Sequence, residues 1–205
     1  MKKYGVFIVV LVFITILNFS LNFLGLKFKD VFSQPLPQKD KITIDYPKEF
    51  FVKGKSFFEK QRKNQCGGYS SAYVLRYFGK DVNGKVNYDN LNHKFANGYV
   101  MPIGITESFN KQNIEISLYK GNIDTLKTRL FKANAPTIVL IGNKWHWQHY
   151  VTVTGYDKNN IYIYDSNKDT DNSKGYNRIM TTEKFQKDFN NCIPIFNHIY
   201  FIVDK

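Results

Sequence analysis

The chain has 205 residues, of which 43% are hydrophobic and 17% aromatic, and this composition argues against an intrinsically disordered protein. Its formal net charge of +12 favours anionic partners such as lipid head groups or an acidic cell-wall polymer. The lysines are scattered, so nucleic acid is not an expected partner. Two cysteines, Cys66 and Cys192, exclude a dense disulfide scaffold and a paired-cysteine metal site, and they leave a single bridge as an alternative.

The N-terminal segment is long and apolar. Residues 4–26 contain no charged side chain. This run is long enough to span a bilayer core, and its end lacks the small-residue cleavage pattern of a signal peptide, so an uncleaved anchor is favoured over a signal peptide. We therefore predict a single-pass signal anchor at residues 1–26, with membrane contact through 4–26. The usual arrangement of a single early span would place the globular domain outside the cytoplasm.

Residues 27–55 are interpreted as a linker. They contain Pro35, Pro37 and Pro47 among polar residues. A globular domain is predicted to follow over residues 56–205.

Within this domain, predicted helices come first and strands follow. The spacing of apolar residues predicts a helix over 69–78 that Gly79 ends, and later helices over 105–112, 124–132 and 181–189. Strands are predicted over 114–119, 137–141, 149–156, 161–164 and 199–203. Segregated helices and an antiparallel sheet are typical of an α+β fold.

Cys66 stands at the start of the first of these helices. A catalytic cysteine attacks as a thiolate, and the positive end of a helix lowers the pKa of a thiol. Gly67 and Gly68 are expected to leave room beside the sulfur for a substrate carbonyl, while the Cys66 backbone N–H faces the oxyanion. The alternative for Cys66 is a core position, which is common for free cysteines and is assigned to Cys192.

His149 and Asp165 are predicted to lie at the same end of a β-hairpin. His149 begins one strand, Asp165 follows its partner, and residues 157–160 form the connection. The carboxylate can then hold one ring nitrogen while the other nitrogen faces a thiol. A triad of Cys66, His149 and Asp165 at an exposed site is therefore predicted, with a core histidine and a turn aspartate as the alternatives.

No metal site is predicted. His146 and His149 are three residues apart, and on a strand such a pair points to opposite faces. Trp145 and Trp147 are interpreted as core or cleft-wall residues, and His93 and His198 as surface and sheet positions.

Three segments carry a resemblance to a known family. QRKNQCGGYSSAYVLRYFG (61–79), HYVTVTGYD (149–157) and YDS (164–166) together resemble the C39-like peptidases of the papain-like superfamily. The resemblance covers about residues 57–203. It implies a papain-like fold whose helical part carries the cysteine and whose antiparallel sheet carries the histidine and aspartate. It also implies thiol-dependent hydrolysis of a peptide or protein substrate without metal or organic cofactor, often after a Gly-Gly-type leader in the bacteriocin-processing branch.

The residues match the family motif one by one. Cys66 matches the nucleophile, His149 the base and Asp165 the orienting acid. An upstream glutamine matches the oxyanion donor, and Gln61, five positions before Cys66, is preferred to Gln65, immediately before it. Gly68 stands where the family often has proline.

Transporter domains accompany the bacteriocin-processing branch and are not in this sequence, so an anchored stand-alone peptidase is expected. The alternatives are a catalytically inactive papain-like binding or immunity protein and a cell-wall peptide amidase.

Overall fold

The computed structural model describes residues 2–27, 30, 33–54 and 56–203, with side chains from Val6 onward. Within these ranges the helices are α1 (Lys2–Phe23), α2 (Cys66–Tyr77), α3 (Gly84–Asp89), α4 (Pro102–Asn110), α5 (Ile123–Ala133) and α6 (Thr182–Asn190). A 3-10 turn covers Pro194–Phe196. The strands are β1 (Gln38–Lys39), β2 (Phe50–Phe51), β3 (Ile116–Lys120), β4 (Thr137–Asn143), β5 (Trp147–Tyr156), β6 (Asn160–Tyr164), β7 (Arg178–Thr181) and β8 (Ile199–Val203).

The strands form one sheet in the order β1-β3-β8-β4-β5-β6-β7, and β2 pairs with β5. All pairs are antiparallel except β1 with β3. The long strand β5 pairs with β4, where Ile141 lies opposite His149, and with β6, where Thr152 lies opposite Tyr164. The predicted α+β class is confirmed, and the hairpin of β5 and β6 is present as expected.

Both faces of the sheet are covered, which explains the continuous apolar run of β4. Ile138 and Leu140 pack in the cluster that includes residues of α2 and α4. Val139 and Ile141 alternate with them and pack with residues of α5 and α6 on the opposite face. Successive side chains of a strand point to opposite faces. When both faces of the sheet are covered, all of these side chains are buried, and the strand is apolar along its length.

The predicted linker lies along the domain surface. Its described residues include β1 and β2, which pair with β3 and β5. Asp40, immediately after β1, is buried and accepts two hydrogen bonds of 2.9 Å from Arg129 and one of 2.6 Å from the Tyr200 hydroxyl. The domain boundary near residue 56 stays a prediction.

Helix α1 has the length and composition of a membrane span over Val6–Phe23, features that a signal sequence shares. Its apolar side chains are largely exposed, including Phe23 at its C-terminal end. Leu21 and Leu26 are buried against Met101 and Ile103 of the globular domain. The N-terminal helix therefore contacts the domain at one end only.

Candidate active site

Cys66 is the first residue of α2, and its side chain is buried at 3% relative exposure. The first N–H groups of a helix have no intrahelical acceptor, so this end of α2 presents donors and positive potential to the sulfur. The expectation of an exposed site was wrong, because Cys66 belongs to the core cluster and reaches solvent only through the cavities that adjoin it.

Gly67 and Gly68 have a different role from the one expected. A Cβ at Gly68 would lie 2.3 Å from the Cβ of Tyr88 on α3, and one at Gly67 would lie 3.2 Å from the Cβ of Val100. Both glycines are buried and allow neighbouring segments to approach α2 closely. They serve the packing of the helix and do not line the approach to the sulfur.

The structure brings His149, Asp165 and Cys66 together. The Nε2 atom of His149 lies 2.7 Å from Oδ1 of Asp165. Cys66 lies beside His149 on the border of the same cavity and is near enough to raise the pKa of the imidazole. Because Nε2 faces the carboxylate, Nδ1 is the ring nitrogen left for the sulfur. His149 is on β5 and Asp165 directly follows β6, so the hairpin sets their separation.

Asp165 is held by residues that the sequence pattern did not single out. Its Oδ1 accepts the backbone N–H of Asn167 at 2.9 Å, and its Oδ2 accepts Arg178 Nη1 at 2.8 Å. The Asn177 amide brackets its backbone, accepting from the N–H at 2.7 Å and donating to the carbonyl at 3.0 Å. These contacts fix the carboxylate before any substrate is present.

Burial and neighbouring charges shift the pKa of His149 in opposite directions, and the same is true of Asp165. Burial is the largest single influence on the pKa of His149 and lowers it, but the charge of Cys66 and the hydrogen bonds with Asp165 and Cys66 together raise it from 6.5 to about 10. Burial raises the pKa of Asp165, yet the bonds from His149, Asn167 and Arg178 hold it well below its usual range. The site therefore favours an imidazolium between a carboxylate and the sulfur.

The two candidate glutamines occupy different surroundings. Gln61 borders the same cavity as Cys66 and His149, and its Oε1 accepts the Ser166 hydroxyl at 2.6 Å. The oxygen of the amide is thereby occupied, which leaves the Nε2 donors for the cavity. Gln65 borders neither cavity at Cys66, and its Oε1 accepts the Arg62 N–H at 3.3 Å.

Two cavities meet at Cys66. A polar one of about 500 Å³ is bordered by Gln61, Lys63, His149, Asp165, Lys168 and Arg178. A largely apolar one of about 300 Å³ is bordered by Leu24, Phe95, Val100, Trp145, Tyr150 and Phe196. Tyr99, Trp147 and Gln148 border both. The predicted cleft-wall position of the two tryptophans is where the structure places them.

His146 does not lie on a strand, contrary to the expectation, because β5 begins at Trp147 and His146 is in the preceding turn. Within the described part of the chain, no group of three or more His, Cys, Asp or Glu side chains could hold a metal ion. Cys192 is a free, buried thiol in the core, and burial together with Asp188 raises its pKa to about 12. Its interpretation as a small core residue is supported by this placement.

Sequence reasoning missed Asn167, Asn177 and Arg178. Asn167 carried a weak signal, since Asp165-Ser-Asn is a typical side-chain-to-backbone turn. Asn177 and Arg178 reach Asp165 across a loop of more than ten residues, and no local pattern marks such a contact.

Comparison with known proteins identifies the family and the fold. The sequence model of the peptidase C39 family matches residues 55–198, more than half of the chain. A search of the curated proteins gives no significant match.

Several solved structures share the fold. The peptidase domain of Streptococcus ComA, a bi-functional ABC transporter involved in a quorum-sensing pathway, is 20% identical, with a TM-score of 0.54 over 73% of this chain and 98% of that one. A double glycine motif protease from an AMS/PCAT transporter, solved with the leader peptide, is 18% identical, with a TM-score of 0.51 over 75% and 95%. A cysteine protease of Carica candamarcensis in complex with E-64 is 10% identical, with a TM-score of 0.55 over 78% and 99%.

The fold is therefore that of the C39 and papain-like peptidases, as the sequence resemblance implied. With a helix-borne cysteine beside a strand-borne histidine and a family match across the globular domain, the chain belongs to the peptidase C39 family and is a cysteine peptidase.

Proposed function

We propose that the chain is a membrane-anchored thiol peptidase in which Cys66 attacks the peptide carbonyl, His149 transfers the protons and Asp165 orients His149. The observation that carries this proposal is the contact of 2.7 Å between His149 Nε2 and Asp165 Oδ1, with Cys66 beside the same imidazole on the border of the polar cavity. The same arrangement recurs on unrelated folds wherever a nucleophile needs a fixed base.

The reaction follows from the atoms that face one another. The thiolate of Cys66 forms a bond to the carbonyl carbon, and the C–N bond of the peptide breaks as the His149 imidazolium gives its proton to the leaving amine. A thioester then joins the acyl part of the substrate to Cys66. Water attacks this thioester, His149 accepts the proton of the water, and the carboxylic acid leaves as the sulfur regains its charge.

The tetrahedral intermediate carries a negative oxygen that needs donors. The Cys66 backbone N–H at the start of α2 and the Gln61 side-chain amide supply them in this proposal. The bond from Ser166 to Gln61 Oε1 supports Gln61 over Gln65, because it orients the amide nitrogen away from Ser166. Donors fixed in advance stabilise developing charge without reorganisation.

A peptide or protein is the proposed substrate, supported by the leader peptide in the structure of the related double glycine motif protease. The packing of Leu21 and Leu26 on the globular domain supports an anchor that stays attached. In this proposal residues 4–26 contact the membrane, and those after the apolar window Val6–Phe23 lie at its head-group level. We place the catalytic domain outside the cytoplasm. There the net charge of the residues after the span, +10 once Lys2 and Lys3 are left out, would also attract an anionic cell-wall polymer.

The test is alkylation of Cys66 by iodoacetamide as a function of pH, in the full chain in nanodiscs, with and without His149→Ala. Rapid labelling at about pH 6 that collapses in the variant is the expected result, because the imidazolium stabilises the thiolate. Peptide mapping by mass spectrometry separates Cys66 from Cys192, which serves as an internal control. A peptide library then measures turnover by the wild-type chain and by Cys66→Ala.

Slow labelling of Cys66, with the same pH profile in both chains, would contradict the proposed pair and favour the non-catalytic binding protein. Reactive Cys66 with turnover of wall-peptide amides and of no other peptide would identify the amidase.

A further inference from the structure

The end of α1 is joined to the globular domain by hydrogen bonds and by packing. The Ala96 N–H donates to the carbonyl of Leu24 at 2.8 Å, and Gly25 lies so close to Ala96 that a Cβ would be 2.6 Å from its nitrogen. Leu21 and Leu26 bury their side chains against Met101 and Ile103. The described residues from Leu21 to Leu26 therefore pack directly on the globular domain.

A charged cluster secures the same junction. His93 was assigned to the surface from the sequence, but only 9% of its side chain is exposed, and it lies between two carboxylates. Its Nδ1 is 2.9 Å from Oδ1 of Asp30, and its Nε2 is 2.8 Å from Oε1 of Glu107 on α4. Asp30 in turn accepts the backbone N–H of Lys27 at 2.7 Å. The residues that follow α1 are thus tied to the helix that packs beneath the cleft.

This junction lies beside the apolar cavity at Cys66. Leu24 immediately follows the apolar window Val6–Phe23, and it borders the cavity together with Trp145. Trp145, in the turn between β4 and β5, is 79% exposed, and Leu24 is 47% exposed. Lys144 is also exposed in this turn and borders the same cavity.

The end of a transmembrane helix sets the depth in the bilayer of the residues that lie beside it. A residue directly after the apolar window lies at the head-group level, where tryptophan is enriched because one end of its ring system is apolar and the other can be hydrated. Lysines beside it attract anionic head groups. Trp145 is exposed beside Leu24 and Lys144 on the border of one cavity, and a lipid surface would give its ring both an apolar and a hydrated environment.

We propose that the turn carrying Lys144 and Trp145 rests on the anionic head groups of the membrane that α1 spans, so that the apolar cavity beside Cys66 opens at the membrane surface. The substrate class follows, and this part rests on the proposed function: a peptide segment that lies next to the same membrane.

The first test measures the depth of Trp145 in the full chain carrying Cys66→Ala and Trp147→Phe, which leaves Trp145 as the single tryptophan. The vesicles contain phosphatidylcholine and phosphatidylglycerol at about 3:1, with lipids brominated near the carbonyls or near the bilayer centre. Strong quenching by the shallow bromines and weak quenching by the deep ones is expected. The matched control carries Cys66→Ala and Trp145→Phe, and its half-buried Trp147 should be quenched less.

Flotation of the same vesicles separates the outcomes. Protein that floats while Trp145 stays unquenched overturns the proposed contact and leaves the anchor intact. Trp145 emission that depends on protein concentration and not on lipid identifies a second copy as the partner and also overturns it. Protein that does not float overturns the contact together with the anchor.

The second test addresses the cavity itself and needs no known substrate. Iodoacetamide coupled through a short spacer to the phosphatidylethanolamine head group is incorporated into the vesicles, and labelling of Cys66 is compared with labelling by free iodoacetamide. Labelling of Cys66 by the lipid-bound probe is expected. If only free iodoacetamide labels Cys66, the cavity does not open at the membrane surface and the inference is overturned, while the proposed Cys66–His149 pair stands. If neither reagent labels Cys66, the proposed function is contradicted, and the substrate class with it.

Discussion

The two cavities that meet at Cys66 differ in chemistry and in origin. The polar cavity is bordered by the segment before α2, by β5 and by the residues that follow β6, and it holds every polar side chain of the proposed mechanism. The apolar cavity is bordered by the end of α1, the segment before α4 and the turn before β5. Cys66 borders both cavities, and the proposed function assigns catalysis to the polar one, so substitutions in the two cavities should have distinct effects.

Removal of the Cys66 sulfur, which borders both cavities, should have the largest effect on activity. Cys66→Ala is expected to lower kcat/KM by more than about 10³-fold, since the nucleophile has no substitute. Because Cys66 is buried in the core, a modest loss of stability of about 1 kcal/mol accompanies the change. Turnover of a peptide pool and thermal unfolding measure the two effects. Cys192→Ala, a second buried cysteine, should cost similar stability and leave turnover intact, and a loss of turnover in that variant would contradict the assignment.

A comparison of the two glutamines tests whether oxyanion stabilisation belongs to the polar cavity. Gln61→Ala is expected to lower kcat by about 10²–10³-fold with a small change in KM, because the donor acts mainly on the intermediate. Gln65→Ala is the matched control and should stay close to wild type, since Gln65 borders neither cavity. Equal losses in the two variants, or a larger loss with Gln65, would reverse the assignment.

The charge of Cys66 and the carboxylate of Asp165 raise the pKa of His149 together, so removal of the carboxylate should shift the alkaline limit of activity. Asp165→Asn removes charge and a hydrogen-bond acceptor that raise the pKa of His149. That pKa should fall from about 10, and kcat/KM should decrease by about 10²-fold, with an alkaline limb at lower pH. NMR titration of the His149 ring and the pH profile of kcat/KM measure the change. Arg178→Gln keeps the carboxylate, so the alkaline limb of its kcat/KM profile should not shift to lower pH. A shift to lower pH in this variant would show that Arg178, and not the charge of Asp165, controls the pKa of His149.

The same shift predicts a dependence of stability on pH. The folded-state pKa of His149, about 10, lies above its ordinary value of 6.5, so protonated His149 stabilises the fold fully below about pH 6.5. This contribution is lost as pH rises through about 10. Chemical unfolding at a series of pH values should show a steeper alkaline decrease for wild type than for His149→Ala. Parallel curves would exclude a stabilising imidazolium.

The hairpin that carries His149 and Asp165 could be predicted from the sequence because both of its determinants are local. Alternation of side chains sets the strands, and Asp157-Lys-Asn-Asn sets the connection. The distance of 2.7 Å between the two side chains confirms that they lie at the same end. The C39-like resemblance supplied the overall fold, which periodicity alone would have left at the level of α+β.

The remaining features depend on contacts between distant segments, which local patterns do not encode. The sequence suggested that Gly67 and Gly68 leave space for a substrate. In the structure, position 68 must be glycine because Tyr88 of α3 packs against it, and the short helix α3 was not predicted. His93 looked like a surface residue, yet its two partners lie on separate segments. Prolines suggested a linker, yet Asp40 in that stretch is buried on Arg129. A polar side chain and its partner become recognisable only when the tertiary structure brings them together.

The smallest expected effect concerns substrate charge in the polar cavity. Lys63 and Lys168 are exposed cations on its border, and among its described lining residues the one carboxylate, Asp165, is already paired with His149 and Arg178. An acidic residue in the substrate should therefore be preferred on this side of the scissile bond.

The double substitution Lys63→Glu and Lys168→Glu is expected to reduce that preference about tenfold. The reduction should be smaller at high salt, because exposed charges are screened. Paired peptides that differ by glutamate or glutamine at one position measure it. The control for net charge is the double substitution Lys158→Glu and Lys187→Glu, two exposed positions away from the polar cavity. An equal change in both chains would assign the preference to the overall charge of the domain, and the contrast between the two cavities would then rest on their apolar surfaces alone.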